Sequence, residues 1–173
     1  MSLRMAALGL LAQHPGSGYD LLKRFEKSMA NVWPATQSQL YGELNKLAAA
    51  GLIEVSDIGP RGRKEYRATA AGRAELMRWI THAQDDPPER SAELLRMFLL
   101  SELPPAEARS HLVAAADHSD SEVKRYRELE ATQSWSESAA DFYAHAALVY
   151  GIRAHLAQAE WARWLIGRLD DRD

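Results

Sequence analysis

The segment from residue 36 to residue 51 constrains the fold most, because it carries helix signals at both of its ends. Thr36 and Gln39 have the spacing of a capping box, in which each side chain bonds the backbone of the other residue. Gly51 stands where a glycine ends many helices. The sequence therefore predicts a helix that begins after Thr36 and runs to about Ala50. The residues immediately after this helix decide the class of fold.

A short basic hairpin comes next. Residues 52–58 and 64–69 have the composition of two strands, joined by a tip rich in glycine and positive charge. The six residues from Gly59 to Lys64, GPRGRK, hold three cations in a chain whose formal net charge is −3. Turns collect glycine, proline and charge for conformational reasons alone, so a solvated hairpin tip is the alternative interpretation.

Two further helices precede this unit and one comes after it. The first spans about residues 3–13, and the second begins at a capping box of Ser17 and Asp20 and runs to about Ala30. Thr69 can cap a fourth helix over about residues 70–83. The predicted buried stripe of the second helix contains Tyr19, Leu22, Phe25 and Met29. This order predicts a mainly α fold, a winged helix-turn-helix domain with a two-stranded wing.

The third helix has one apolar and one polar face. Leu40, Leu44 and Leu47 fall within one narrow arc and are predicted to face the core. The opposite arc carries polar and small residues with no acid at its centre. Amide and hydroxyl groups with room for close approach suit a helix that lies in the DNA major groove. An ordinary solvated helix face is the alternative.

The predicted DNA-binding residues come from this helix and from the wing. The wing cations are expected to meet phosphates, which supply much of the sequence-independent affinity. The predicted set is Thr36, Gln37, Ser38, Gln39, Tyr41, Asn45 and Lys46 of the helix, with Arg61, Gly62, Arg63 and Lys64 of the wing.

The charge of the chain is unevenly distributed. Residues 1–80 contain 11 Lys and Arg against 7 Asp and Glu, whereas residues 81–173 contain 10 against 17. A basic first half joined to an acidic second half indicates that the first half meets a polyanion.

Three segments of the first half resemble the PadR family of transcriptional regulators. They read SGYDLLKRFE, SQLYGELNKLAAAGLIE and GPRGRKEYRATAAGRAEL, in the family's order and spacing, and the resemblance covers about residues 3–84. The chain departs from the family at Gly42-Glu43, where Pro-Ala is common. The resemblance implies a homodimeric repressor that controls its own operon or a neighbouring gene and is often released by a small, frequently aromatic effector.

A boundary between two domains is predicted at Asp85-Asp86-Pro87-Pro88-Glu89-Arg90. Two prolines flanked by acids break a helix and carry no apolar periodicity. The sequence therefore predicts a winged helix-turn-helix domain over residues 1–84, a linker over 85–91 and a helical dimerisation domain over 92–173.

The second half is predicted to be entirely helical. An apolar segment at residues 94–100 precedes a helix that begins at Pro104-Pro105 and runs to about Thr132. A last helix over about residues 139–169 repeats apolar residues at steps of three, four and seven. Because two long helices offer each other too little surface, this stripe is expected to pair with a second copy of the chain. The predicted dimerisation residues are Phe142, Val149, Ile152 and Leu156.

Two tryptophans stand at breaks between helices. Trp33 precedes the third helix, and Trp135 lies between the two long helices. Either can line a pocket for an aromatic effector, although packing in a core or a dimer interface is the alternative.

Several classes of chemistry have no support in the sequence. The chain contains no cysteine, its six histidines form no compact pair, and no recognisable catalytic constellation is present. No run approaches the roughly 20 apolar residues of a membrane span, and the N-terminus carries no cleavage site of the signal-peptide type. We therefore expect a cytoplasmic protein that is not an enzyme and holds no metal or cofactor.

A second functional hypothesis remains open from the residues alone. The chain could be a protein-interaction module that keeps the winged fold without binding DNA. The modest positive charge of the first half and the glycine at position 42 favour this alternative.

Overall fold

The computed structural model describes residues 2–58, 62–82 and 90–171. Its helices are α1 (Ser2–Gln13), α2 (Gly18–Ser28), α3 (Gln37–Ala49), α4 (Ala70–Thr81), α5 (Ala92–Phe98), α6 (Pro105–Thr132) and α7 (Ala139–Asp170). Its strands are β1 (Gly16–Ser17), β2 (Ile53–Ile58) and β3 (Lys64–Ala68), and a 3-10 turn covers Leu100–Glu102. The chain divides into two compact units, Met1–Pro88 and Glu89–Asp173. Most of the predicted linker, and Arg61 of the predicted wing, lie outside the described residues.

Side-chain caps fix the starts of α2 and α3. The backbone N–H of Thr36 donates to Oε1 of Gln39 at 2.8 Å, and the N–H of Gln39 donates back to the Thr36 hydroxyl at 3.3 Å. Ser17 and Asp20 make the same reciprocal pair at 3.0 and 3.3 Å. Both predicted capping boxes are therefore confirmed, and each satisfies N–H groups that the first turn of a helix leaves unpaired.

The core of the first unit forms where α1, α2 and α3 meet the sheet. Its buried residues are Met5, Ala7, Leu8, Leu10, Leu11, Leu21, Phe25, Leu40, Leu44, Leu47, Ile53 and Ala68. The predicted core face of α3 is confirmed, since its three leucines are all buried. The predicted stripe of α2 is wrong at Tyr19, which is 53% exposed, because α2 turns Gly18, Leu21 and Phe25 to the core instead.

The sheet has three strands rather than the two expected for the wing. The order is β1-β3-β2 with antiparallel pairing throughout. The predicted wing strands β2 and β3 pair in register from Ile53 opposite Ala68, with a bulge between Val55 and Asp57. The additional strand β1 places Gly16 opposite Tyr66 and Ser17 opposite Glu65. This pairing attaches the wing to the start of α2.

The second unit is built on the antiparallel pair of α6 and α7. Residues of α6 at steps of three and four are buried, among them Leu112, Ala116 and Val123. On α7 the buried residues are Ile152, Ala159 and Ala162. Within the described ranges, no helix combines the length and the apolar character needed to cross a lipid bilayer.

One predicted dimerisation residue is buried inside its own chain. Ile152 is only 8% exposed and packs with Val123 and Tyr126 of α6. Its assignment to a dimer surface is therefore wrong, because this position of α7 faces α6. Phe142 and Leu156 are exposed, and Val149 is half-buried.

The exposed apolar face of α7 is wider than the predicted stripe. Tyr143, Tyr150 and Trp164 are also more than half exposed, and together with Phe142 they form a surface that we call the α7 apolar face. At α5 and the residue after it, four more large apolar side chains are exposed: Leu94, Leu95, Phe98 and Leu99. A soluble monomer rarely leaves contiguous apolar patches larger than a few hundred Å² in water.

Candidate nucleic-acid interface

The exposed face of α3 carries the side chains expected to read base edges. Gln37, Ser38 and Asn45 are all exposed, while the leucines on the other side of the helix are buried. Gly42 lies between them, and a Cβ atom placed there would meet no atom within 4 Å. The surface is therefore polar, uncrowded and free for approach by a flat or grooved partner.

The start of α3 is held by two of the predicted site residues. The Thr36 hydroxyl lies 3.2 Å from Oε1 of Gln39 and accepts from the Gln39 backbone N–H. The amide oxygen of Gln39 is thus engaged with Thr36, while its NH₂ group can still donate to an acceptor. These two residues position the helix start in addition to any contact that they make with a partner.

Lys46 is engaged with an acid of its own helix. Its Nζ atom lies 2.7 Å from Oε1 of Glu43, and the lysine side chain is 68% exposed. An exposed pair of this kind contributes about 0–1 kcal/mol to stability, so the lysine can exchange its partner for a phosphate.

The described wing presents one free cation, Lys64, and two paired cations, Arg63 and Arg67, the second of which pairs with Glu54 of β2. The Lys64 side chain is exposed and has no ion-pair partner in the described part of the chain. Arg63 forms an ion pair with Asp20 of α2, 43 residues away in the sequence. Gly62 has φ +75°, the left-handed conformation that glycine adopts at no steric cost.

Asp20 carries a full negative charge at neutral pH. Its Oδ2 atom accepts from the Ser17 hydroxyl at 2.7 Å and from the Ser17 N–H at 3.0 Å, besides contacting Arg63. The Ser17 hydroxyl first, then the Ser17 N–H and the Arg63 guanidinium, hold the pKa of this carboxyl at about 2. Its charge therefore fixes the position of Arg63 across the physiological range of pH.

Tyr41 lies against the start of α2. An added Cβ atom at Gly18 would come within 2.5 Å of the Tyr41 ring, so the absence of a side chain at Gly18 makes room for that ring. Tyr41 is 37% exposed. The predicted binding residue thus also packs α3 against α2.

Sequence reasoning missed three residues of this surface. Tyr19, Asp20 and Tyr66 were assigned to a core stripe, a helix cap and a strand. In the structure, Tyr19 and Tyr66 line a shallow hollow of the surface together with Ser17, Gly18, Tyr41, Arg63 and Lys64. The exposure of Tyr19 depends on how far α2 is rotated about its own axis. The apolar stripe in the sequence did not define that rotation.

The two tryptophans proposed for an effector stand in different units. Trp33 is 46% exposed in the loop between α2 and α3. Trp135 packs against the His145 ring at a centroid distance of 4.8 Å, and its Nε1–H donates to the carbonyl of Glu130 at 3.0 Å. His145 in turn lies 2.6 Å from a carboxylate oxygen of Glu130. Trp135 therefore closes the turn between α6 and α7.

No group of three or more histidine and acidic side chains is arranged to hold a metal ion in the part of the chain that the structure describes.

Two family models match the chain. Residues 7–78 match the model described as "Transcriptional regulator PadR-like family", and residues 89–170 match "Virulence activator alpha C-term". The chain is 34% identical over 110 residues to the negative transcriptional regulator PadR of Bacillus subtilis, an alignment that spans 61% of this chain and 60% of that protein. It is 36% identical over 83 residues to Rv1176c of Mycobacterium tuberculosis, described as a probable transcriptional regulator, over 46% of this chain and 44% of that protein.

Solved structures of Bacillus subtilis PadR have the same fold. The structure in complex with operator DNA superposes with a TM-score of 0.81 at 25% identity, covering 98% of this chain and 99% of that one. The structure in complex with p-coumaric acid superposes with a TM-score of 0.84 at 26% identity and the same coverage. The alignments with the curated relatives, by contrast, span less than two thirds of those proteins. Residues 7–78 therefore form a domain of the PadR-like family of transcriptional regulators, and the chain as a whole shares the fold of Bacillus subtilis PadR.

Proposed function

We propose that the chain is a sequence-specific DNA-binding regulator that represses transcription as a homodimer and leaves its operator when a small aromatic effector binds. The observation that carries this proposal is the exposed face of α3, polar and free of acids at its centre, beside the cations of the wing. The same fold is solved in complex with operator DNA for Bacillus subtilis PadR. Because its target is chromosomal DNA, we place the protein in the cytoplasm.

In this proposal the predicted residues divide into three roles. Gln37, Ser38 and Asn45 reach base edges, since amide and hydroxyl groups read the major groove. Thr36 and Gln39 hold the start of α3 against the sugar-phosphate backbone of the DNA. Contacts to phosphates come from the remaining predicted residues: Tyr41, Lys46, Arg61, Gly62, Arg63 and Lys64.

The helical second unit serves dimerisation. We assign residues 1–84 to DNA binding, 85–91 to a linker and 92–173 to the dimer, and we propose that Phe142, Val149 and Leu156 contact the second copy. The α7 apolar face supports this assignment, because pairing would remove it from water. A dimer also brings two α3 helices to one duplex.

An effector of aromatic character is the third part of the proposal. It is supported by the complex of Bacillus subtilis PadR with p-coumaric acid. Trp33 offers an exposed ring and remains a candidate contact. Trp135 also remains a candidate, although its ring and indole N–H are engaged at the α6–α7 turn.

A winged-helix module that binds protein rather than DNA is the second candidate function. It is favoured by the pairing of two of the expected DNA-binding cations with acids, Lys46 with Glu43 and Arg63 with Asp20. Selection of bound duplexes from a genomic pool separates the two functions. Recovery of a common sequence supports the regulator, whereas a pool that stays random supports the protein-binding module.

Replacing the exposed amides of α3 should change base preference. In Gln37→Ala and Asn45→Ala, we expect discrimination at particular base pairs to fall by about 1–3 kcal/mol, because the bond to a base edge is lost. The matched control is Gln13→Ala, which removes an exposed amide at the end of α1. Binding-site profiles of all three variants test this, and unchanged profiles for both α3 variants would remove these residues from the site.

Affinity for DNA should fall steeply with salt. Each phosphate that a protein neutralises releases counterions with a slope of about 0.9, so several contacts in each subunit should cost roughly 10³-fold in affinity when salt rises fourfold. Titrations of a fixed operator duplex at four salt concentrations give the slope. An affinity that does not respond to salt would contradict phosphate binding by the wing.

A further inference from the structure

The hollow beside α3 joins three elements of the first unit. Its described lining comes from the start of α2 (Ser17, Gly18 and Tyr19), from α3 (Tyr41) and from the wing (Arg63, Lys64 and Tyr66). Lys64 and Tyr66 alternate along β3 and therefore share one face of the strand, while Glu65 points to the other face. Three tyrosines and two cations thus meet at one shallow surface, and none of the described lining residues is acidic.

A third cation lies next to this hollow. The Nζ atom of Lys23 is 4.7 Å from the centroid of the Tyr19 ring. Asp20 contacts two of the lining residues, since its Oδ2 atom takes two hydrogen bonds from Ser17 and the ion pair with Arg63. The negative charge of Asp20 is therefore compensated, and the hollow keeps a net positive environment.

Asp20 orients Arg63 without using up its donors. A guanidinium carries five N–H donors in a fixed plane, and the contact with Asp20 is made through one terminal nitrogen. The remaining N–H groups can bond a second anion. An arginine fixed in this way loses less side-chain entropy when it binds a phosphate than a free arginine does.

From this arrangement we infer that the hollow binds one backbone phosphate of duplex DNA, held by Tyr19, Arg63 and Lys64, and that Asp20 is the residue that positions Arg63. This inference rests on the proposed DNA-binding function and extends it to α2. Tyrosine hydroxyls, lysines and arginines are the side chains that proteins commonly direct at phosphate oxygens.

The shape of the hollow favours a phosphate over a small aromatic acid. A site for a small molecule encloses most of its ligand, commonly about 70–90% of the ligand surface. This hollow is shallow and open to solvent, so it would leave most of such a ligand in water. A DNA phosphate needs no enclosure, because the rest of the duplex holds it in place.

The first test uses the intact protein and its selected operator, with one phosphate at a time replaced by an uncharged methylphosphonate. For the wild type, we expect neutralisation of one phosphate beside the α3 footprint to lower affinity roughly tenfold. In Tyr19→Phe and Lys64→Met, affinity for the unmodified duplex should already be reduced, and neutralising that phosphate should cost little more. Lys27→Met, one turn beyond Lys23 on α2, is the control that should keep the full response.

The outcomes separate this site from the function itself. If the wild type selects a sequence but Tyr19→Phe and Lys64→Met respond to every methylphosphonate as the wild type does, the phosphate site is wrong and DNA binding stands. If the wild type selects no sequence and its affinity for DNA does not change with salt concentration, the proposed function fails and this site fails with it.

A second test asks whether Asp20 positions Arg63, because loss of charge and loss of positioning predict opposite changes in affinity for DNA. Asp20→Asn removes a negative charge next to the DNA surface, and charge alone would raise affinity. The side-chain oxygen of asparagine can still accept from the Ser17 N–H, so the cap of α2 is kept. We expect affinity for the operator to fall several-fold instead, because Arg63 loses its fixed orientation. An increase in affinity would overturn the positioning role, and an unchanged circular dichroism melt confirms that the fold is intact.

Discussion

Changing Phe142 and Tyr150 to glutamate is expected to convert the protein to a monomer that no longer binds its operator specifically. The two side chains are 67% and 75% exposed on the α7 apolar face, so the changes should leave the pairing of α6 and α7 intact. In a dimer interface the same glutamates would be buried without partners, which costs several kcal/mol. Because specific binding of a helix-turn-helix protein uses two half-sites, operator affinity should fall by about 10³-fold, toward the non-specific level.

Light scattering at micromolar concentration and titration with operator DNA decide this prediction. The conservative pair Phe142→Leu and Tyr150→Phe is the control, because it keeps both positions apolar and should keep the dimer. Ile152→Glu gives a different result: it buries a charge between α6 and α7 and should unfold the second unit. A glutamate variant that stays dimeric, or a wild type that is monomeric, would contradict the assignment of this face.

Local signals were enough to predict the order of the main helices and of the two wing strands, and the residues at which α2 and α3 begin. Thr36 with Gln39 and Ser17 with Asp20 each act within three residues, and their hydrogen bonds are present as expected. The three core leucines of α3 result from helical periodicity, which depends only on the chain's own spacing. The winged fold is then set by the order of these elements.

Contacts between distant residues were not predictable from spacing. The two residues of β1 are too few to show a strand's alternation, and only their pairing with β3 defines them. The ion pair between Asp20 and Arg63 joins residues that each have an adequate local interpretation, one as a cap and the other as a wing cation. The hollow at Tyr19 depends on both of these contacts.

The errors in the helices have a common physical cause. Tyr19 was assigned to the core and Ile152 to the surface, and the structure reverses both assignments. Periodicity shows that a helix has an apolar stripe, but the neighbouring helix decides which edge of a broad stripe is buried. On α7 that neighbour is α6, which covers Ile152 and leaves Phe142 and Tyr150 in water.

Gly72→Ala is expected to be the most damaging small substitution in the first unit. Gly72 is buried in the first turn of α4, and an added Cβ atom would overlap the backbone carbonyl oxygen of Leu52. That oxygen accepts from the N–H of Thr69 at 3.0 Å, and the Thr69 hydroxyl both donates to Gly51 and caps α4 at Gly72. The backbone therefore cannot move away without breaking the connection between the wing and α4. Overpacking of this kind costs about 3 kcal/mol.

Replacing Gly42 with alanine should instead raise the stability of the first unit. Position 42 is also helical, but a Cβ atom there has no neighbour within 4 Å, so alanine should stabilise α3 by about 0.5–1 kcal/mol through the lower entropy of the unfolded chain. Hydrogen exchange of the buried amides of α1 and α3 in the intact protein measures the stability of the first unit separately from that of the second. Faster exchange in Gly72→Ala and slower exchange in Gly42→Ala are expected. Equal effects at the two glycines would mean that the close approach of α4 to Leu52 does not determine how this unit packs.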